Sequence, residues 1–208
     1  MKILAHRGCW SRPEERNTPD ALSRAWSRGY GVETDLRDRN GALVVSHDPA
    51  SASCAPLATA LPLHQIPPGT TLALNLKADG LHPLLEPWLA QAAALDAFVF
   101  DMSVPEQRRY RGLPVFTRHS DLEPHPVLYG EAQGVWLDAF DSEWWHGDVV
   151  TCHLAAGKRV AIVSPELHGR DHQAQWRSIR TCPWWDSSDV LLCTDFPREA
   201  AETFRVKT

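Results

Sequence analysis

The chain has 208 residues, 43% hydrophobic and 23% charged, the proportions of an ordinary folded protein, which excludes a disordered or fibrous chain. Lysine and arginine total 21 against 26 acidic residues, a net charge of −5, and no basic run is present that could neutralise a nucleic-acid backbone. Cys9, Cys54, Cys152, Cys182 and Cys193 show no CxxC spacing and read as reduced thiols, so a cytoplasmic setting is expected and nucleic acid is not an expected partner.

The start, "MKILAHRG", carries only a short apolar run at residues 3–5 before His6 and Arg7, far less than an export signal needs. Apolar runs that end in polar clusters then recur along the chain. They lie at residues 3–7, 31–35, 71–77, 97–101, 114–118, 134–138, 159–164 and 189–195. Their near-continuous apolar character suits strands covered on both faces.

Helical patterns fall between them, at residues 17–29, 81–95, 104–112, 144–158 and 197–205. The first has Thr18 as N-cap, Pro19 at the first helical position and Gly29 as stop, with Leu22 and Trp26 on one face. Asn40-Gly41 is a hairpin-type turn signal that would fold residues 43–46 back against an extension of the second strand and bring His47 towards the strand ends. Residues 49–76 contain no Asp, Glu, Lys or Arg but five prolines, which rules out a membrane-spanning helix; residues 49–70 read as a loop.

Strands alternating with helices favour a parallel α/β sheet, and eight of them suggest a compact (β/α)8 TIM barrel with a small β-hairpin after strand two, as a single domain over residues 1–208. In that architecture chemistry sits at the C-terminal ends of strands. Those ends carry His6, Asp35, Lys77, Asp101, Arg118, Asp138, Ser164 and Asp195.

Glu33 and Asp35 are two apart on one strand and so face the same way. Adjacent carboxylates repel, and a divalent oxygen-seeking cation relieves that repulsion while binding phosphate; ion pairs with Arg7, Arg37 or Lys77 are the alternative use.

Taken in order, "AHRG", "NTPDA", "ETDLR" and "SHD", with "CTDFP" near the end, resemble the motifs of the glycerophosphodiester phosphodiesterase family, a phosphatidylinositol-phosphodiesterase-like group of TIM barrels. The resemblance covers most of the chain and is strongest over residues 3–48. It implies a metal-dependent phosphodiesterase of lipid metabolism, with Glu33 and Asp35 as ligands to Mg²⁺ or Ca²⁺ and His6 and His47 as the acid/base pair. The reaction would pass through a cyclic phosphate where an internal hydroxyl of the substrate attacks.

Physical requirements fit that assignment. A nucleophile must lose a proton, a leaving oxygen must gain one, and charge on the phosphoryl oxygens must be offset, here by the metal with Arg7 and Lys77.

One departure stands out. The family's third metal carboxylate falls on "LALNLK", where Asn75 occupies its place and Lys77 is retained. A carboxamide oxygen still ligates Mg²⁺ or Ca²⁺, but with less charge and so lower affinity, and Asp101 is a second source of the missing charge. Further along, Arg118 is a phosphate-pairing candidate, Glu166 and His168 lie in a loop expected to select substrate, and Trp136 is placed to stack on a head group. A barrel that binds a phosphate ligand without turning it over is the competing expectation. The partner in either case is a small-molecule phosphodiester, and neither oligomeric state nor the substrate alcohol is legible.

Overall fold

Residues 1–205 are described by a computed structural model. In chain order the strands are β1 (Lys2–His6), β2 (Gly31–Arg39), β3 (Ala42–Val45), β4 (Thr71–Leu76), β5 (Asp96–Phe100), β6 (Phe116–His119), β7 (Gly134–Leu137), β8 (Arg159–Val163) and β9 (Val190–Thr194). The helices are α1 (Pro19–Trp26), α2 (Leu57–Ala60), α3 (His82–Gln91), α4 (Val104–Gln107), α5 (Gly147–Ala155), α6 (Gln173–Thr181) and α7 (Pro197–Thr203).

The strand order is β5-β4-β2-β1-β9-β8-β7-β6, with β3 added to β2. Eight strands run parallel in a TIM-like α/β barrel and only β3 is antiparallel, as the sequence pattern predicts. None of the described helices is long and apolar enough to cross a membrane.

The chain falls into two compact units, Ala5–Pro114 and Met1–Leu4 with Val115–Thr208. In the first, β2 and β4 pair with Asp35 opposite Asn75, and β4 pairs with β5. Every residue of β4 is buried, which is why its sequence is apolar without alternation. Asn40 and Gly41 both take positive φ, 52° and 77°, giving the tight turn that sets the β2–β3 register of Leu36 against Val45. β2 thereby extends to Arg39, the extension against which the hairpin reading folds residues 43–46.

α1 starts where expected: the Thr18 hydroxyl accepts from the Ala21 N–H at 3.3 Å, Pro19 follows, and Leu22 and Trp26 are buried. Within residues 49–70, read from sequence as a loop, the chain makes the short α2, whose Leu57 and Ala60 are buried.

In the second unit β6 to β9 pair in parallel around a core that includes Val135, Leu137, Ile162 and Leu192, each fully buried. α6 was not predicted. It buries Gln175, Trp176 and Ile179 and exposes most of its other residues, so its apolar stripe is too sparse to stand out in sequence.

Candidate active site

The first unit concentrates its ionisable groups where β1, β2, β4 and β5 end. Arg7, directly after β1, has φ 56°, and Gly8 has φ 87° with the Ala21 backbone so close that a Cβ there would meet it at 2.5 Å. This turn aims the Arg7 N–H at Glu33, bonding its carbonyl at 2.9 Å and its carboxylate at 3.3 Å.

Glu33 and Asp35 are 1% and 0% exposed, two buried acids on one face of one strand. Their environments differ. Asp35 is neutralised: its Oδ2 lies 2.9 Å from Arg7 Nε and accepts from Asn17 Nδ2 at 2.8 Å, and its Oδ1 lies 3.6 Å from Lys77 Nζ. Glu33 Oε2 lies farther from its ring partner, 3.9 Å from His6 Nε2. Burial, then the neighbouring Asp35 charge, push its carboxyl up to about 7. The ion-pair reading thus holds for Asp35 with Arg7 and Lys77; Glu33 keeps its place beside His6.

Asn17 is a residue that sequence reasoning did not single out. Held at φ 62°, it donates its backbone N–H to Arg7 O at 3.0 Å, takes the Thr34 hydroxyl on Oδ1 at 2.8 Å and gives Nδ2 to Asp35. Asn17 fastens the β1 end to β2, by its backbone on one side and its side chain on the other; its only trace in sequence is an Asn immediately before a Thr-Pro cap. Asp101, after β5, has φ 75° and holds Lys77 Nζ at 3.1 Å. Arg7, Asn17 and Asp101 are three non-glycine residues in the left-handed region around one group of charges, the kind of strain that clusters at functional sites.

His47 follows β3 and is about half exposed, with Nδ1 2.9 Å from Asp48 Oδ1. Its backbone is tied to β2: Ser46 N–H bonds Asp35 O and Arg37 Nε bonds His47 O, both at 3.0 Å. His47 thereby flanks the strand that carries the two acids.

A divalent cation has a test in the orphaned atoms. The Oδ1 atoms of Asp35 and Asn75, register partners on β2 and β4, are both buried without a hydrogen bond. With the Glu33 carboxylate on the same face of β2, these are oxygen donors of the kind that Mg²⁺ or Ca²⁺ takes. Among the described residues no group of three or more His, Cys, Asp or Glu is placed to hold a metal.

The other predicted residues lie in the second unit. Arg118 Nε is 2.6 Å from Glu123 and its guanidinium lies over Phe140; His168 Nε2 is 2.7 Å from Asp138 Oδ1. Glu166 is taken up internally by the Ser164 and Thr194 hydroxyls and by the Asp195 N–H at 3.1 Å. Trp136 is 5% exposed, within the strand core.

No protein-family model matches the chain, and no curated protein matches it by sequence. Solved structures do. A protein from Galdieria sulphuraria, assigned as a glycerophosphodiester phosphodiesterase, superposes with a TM-score of 0.75 at 17% identity, over 98% of this chain and 97% of that one. The chain has the fold of glycerophosphodiester phosphodiesterases. The enzyme from Agrobacterium tumefaciens str. C58 gives a TM-score of 0.65 at 16% identity, over 97% of this chain and 99% of that one. A glycerophosphoryl diester phosphodiesterase from Parabacteroides distasonis ATCC 8503 gives 0.65 at 13%, over 98% and 86%. The glycerophosphodiester phosphodiesterase fold therefore spans nearly the whole chain, as the ordered motifs led one to expect, at an overall identity of 13 to 17%.

Proposed function

We propose that the protein is a metal-dependent phosphodiesterase that cleaves glycerophosphodiester-like or other small, lipid-derived phosphodiesters. The observation that carries this reading is the pair of buried acids on β2, one neutralised and one beside His6, in a chain with the fold of enzymes of that activity.

Glu33, Asp35 and Asn75 would hold Mg²⁺ or Ca²⁺, which supplies charge to offset the phosphoryl oxygens. Arg7 and Lys77 add fixed positive charge at the same strand ends. Their ion pairs with Asp35 and Asp101 keep them in place.

His6 and His47 divide the proton transfers: one takes the proton of the attacking hydroxyl while the other returns one to the leaving oxygen. The Asp48 carboxylate at Nδ1 of His47 favours the tautomer whose Nε2 faces the substrate. Where the substrate has a hydroxyl next to the phosphate, its attack forms a new P–O bond as the alcohol leaves, giving a cyclic phosphate.

A second reading has one observation in its favour. Asn75 in place of an acid, with Asp35 already neutralised by Arg7 and Lys77, would suit a barrel that binds a phosphate ligand without turnover. Hydrolysis of glycerophosphodiesters with added Mg²⁺ or Ca²⁺, lost in His6→Ala and Glu33→Ala, supports the first reading. Retained phosphate binding without turnover in any divalent ion supports the second.

A further inference from the structure

We propose that the second unit carries a phosphate site, built on the Asp138–His168 pair with Arg118. Asp138 ends the β7 segment, is buried, and has Oδ1 occupied by the Ala139 N–H at 2.8 Å and His168 Nε2 at 2.7 Å. A carboxylate so fixed from behind sets the imidazole plane and commits Nε2, leaving Nδ1 as the nitrogen for a ligand. His168 Nδ1 has no hydrogen-bond partner among the described residues, and the side chain is 23% exposed.

Arg118 repeats the arrangement. Glu123 holds its Nε at 2.6 Å, and its guanidinium carbon lies 5.5 Å from the centre of the Phe140 ring. His168 packs edge-on against that same ring at 5.1 Å. Two nitrogen-rich groups, each braced from behind by a carboxylate, thus share one aromatic platform.

The platform is itself rigid. Asp121 accepts the N–H groups of Phe140, Asp141 and Ser142 at 2.9, 2.7 and 3.2 Å, and Arg170 bonds the carbonyls of Ala139 and Phe140. Fixing three N–H groups and two carbonyls of one loop is more bracing than a surface turn needs, and it holds in one position the ring against which both groups pack.

Phosphate fits both partners. An ionised P–O oxygen suits the planar guanidinium, and a P–OH oxygen of inorganic phosphate or of a phosphate monoester exchanges a hydrogen bond with Nδ1. This inference does not rest on the function proposed for the first unit.

The test uses inorganic phosphate and the full chain carrying Glu33→Gln, so that the first unit's acid pair is altered. Histidine ring resonances are followed by NMR as phosphate is added. The site predicts a saturable shift of the His168 ring, its resonance assigned by its disappearance in His168→Gln, and binding weakened about tenfold or more in Arg118→Met by loss of a charge-assisted hydrogen bond. Because Asp138 is buried, Asp138→Asn serves as a secondary variant, interpreted only where its circular dichroism matches the parent. A His168 ring that does not respond to phosphate, or responds equally with Met at Arg118, overturns the proposal, whether or not the unaltered chain hydrolyses phosphodiesters.

Discussion

Asp35 and Asn75 stand opposite each other across the β2–β4 ladder, each with a buried Oδ1 atom that has no hydrogen bond. Two buried oxygens without hydrogen bonds on register partners, the aspartate one 3.6 Å from Lys77 Nζ, are donors that a cation of modest affinity would use. Replacing Asn75 with Glu adds a carboxylate to the donor set. Calorimetric titration with Mg²⁺ and Ca²⁺ should show about tenfold or greater tightening in Asn75→Glu, equivalent to ~1.4 kcal/mol. Unchanged affinity in that variant places the ion elsewhere.

A cation held by Glu33 would be linked to stability. The Glu33 carboxyl titrates near 7 in the folded protein against 4.5 for an ordinary glutamate, so the folded state holds this proton more tightly than the unfolded state. The resulting stabilisation is complete below the lower value and is lost as pH rises through the upper one. A divalent ion bound by the carboxylate reverses that loss. The rise in Tm on adding Mg²⁺ or Ca²⁺ should therefore be larger at about pH 8 than at about pH 5.5, and small at both in Glu33→Gln. Thermal scans at the two pH values decide it, and an equal rise in both proteins excludes Glu33 as a ligand.

The second unit has a pH response of opposite sign. His153 Nε2 lies 2.9 Å from His119 Nδ1, and its Nδ1 lies 2.9 Å from the Tyr129 hydroxyl. Burial, then His119, push its pKa down from 6.5 to about 4. The unfolded chain binds the proton first as pH falls, so His153 costs stability progressively from about 6.5 down through about 4 and nothing further below. Urea unfolding midpoints should fall over that window, and the fall should shrink in His153→Gln. A midpoint independent of pH in this range contradicts the assignment.

Much of the first unit is legible in sequence because local rules act there without competition. Thr18-Pro19 opens α1, Asn40-Gly41 makes the β2–β3 turn, and Glu33 and Asp35 share a face through the two-residue period of a strand. Asn17 was not legible as a bridge, since its role depends on a left-handed backbone that sets its amide between Thr34 and Asp35. The Asp138–His168 pair was equally hidden. Thirty residues separate the two, and only the return of the chain through β8 brings them together. α6 escaped because His172 provides no side-chain cap and only Trp176 and Ile179 mark its apolar face.

Gly8 offers a purely structural check on the Arg7 turn. With φ 87° and the Ala21 carbonyl carbon 2.5 Å from a would-be Cβ, Gly8→Ala requires backbone movement between β1 and α1. A destabilisation of ~2 kcal/mol or more is expected in denaturant unfolding, with loss of any turnover that depends on the Arg7 N–H reaching Glu33. A neutral substitution would show that the turn relaxes freely.

The central claim is that Glu33 and Asp35 serve a divalent ion beside a catalytic His6. The most direct measurement is the rate of glycerophosphodiester hydrolysis by protein stripped of metal and then resupplied with Mg²⁺ or Ca²⁺, in the unaltered chain, Glu33→Gln and His6→Ala. Turnover that returns with the ion in the unaltered chain and falls about 10²-fold or more in both variants is the predicted result. Turnover that survives chelation, or that persists undiminished in both variants, would contradict it.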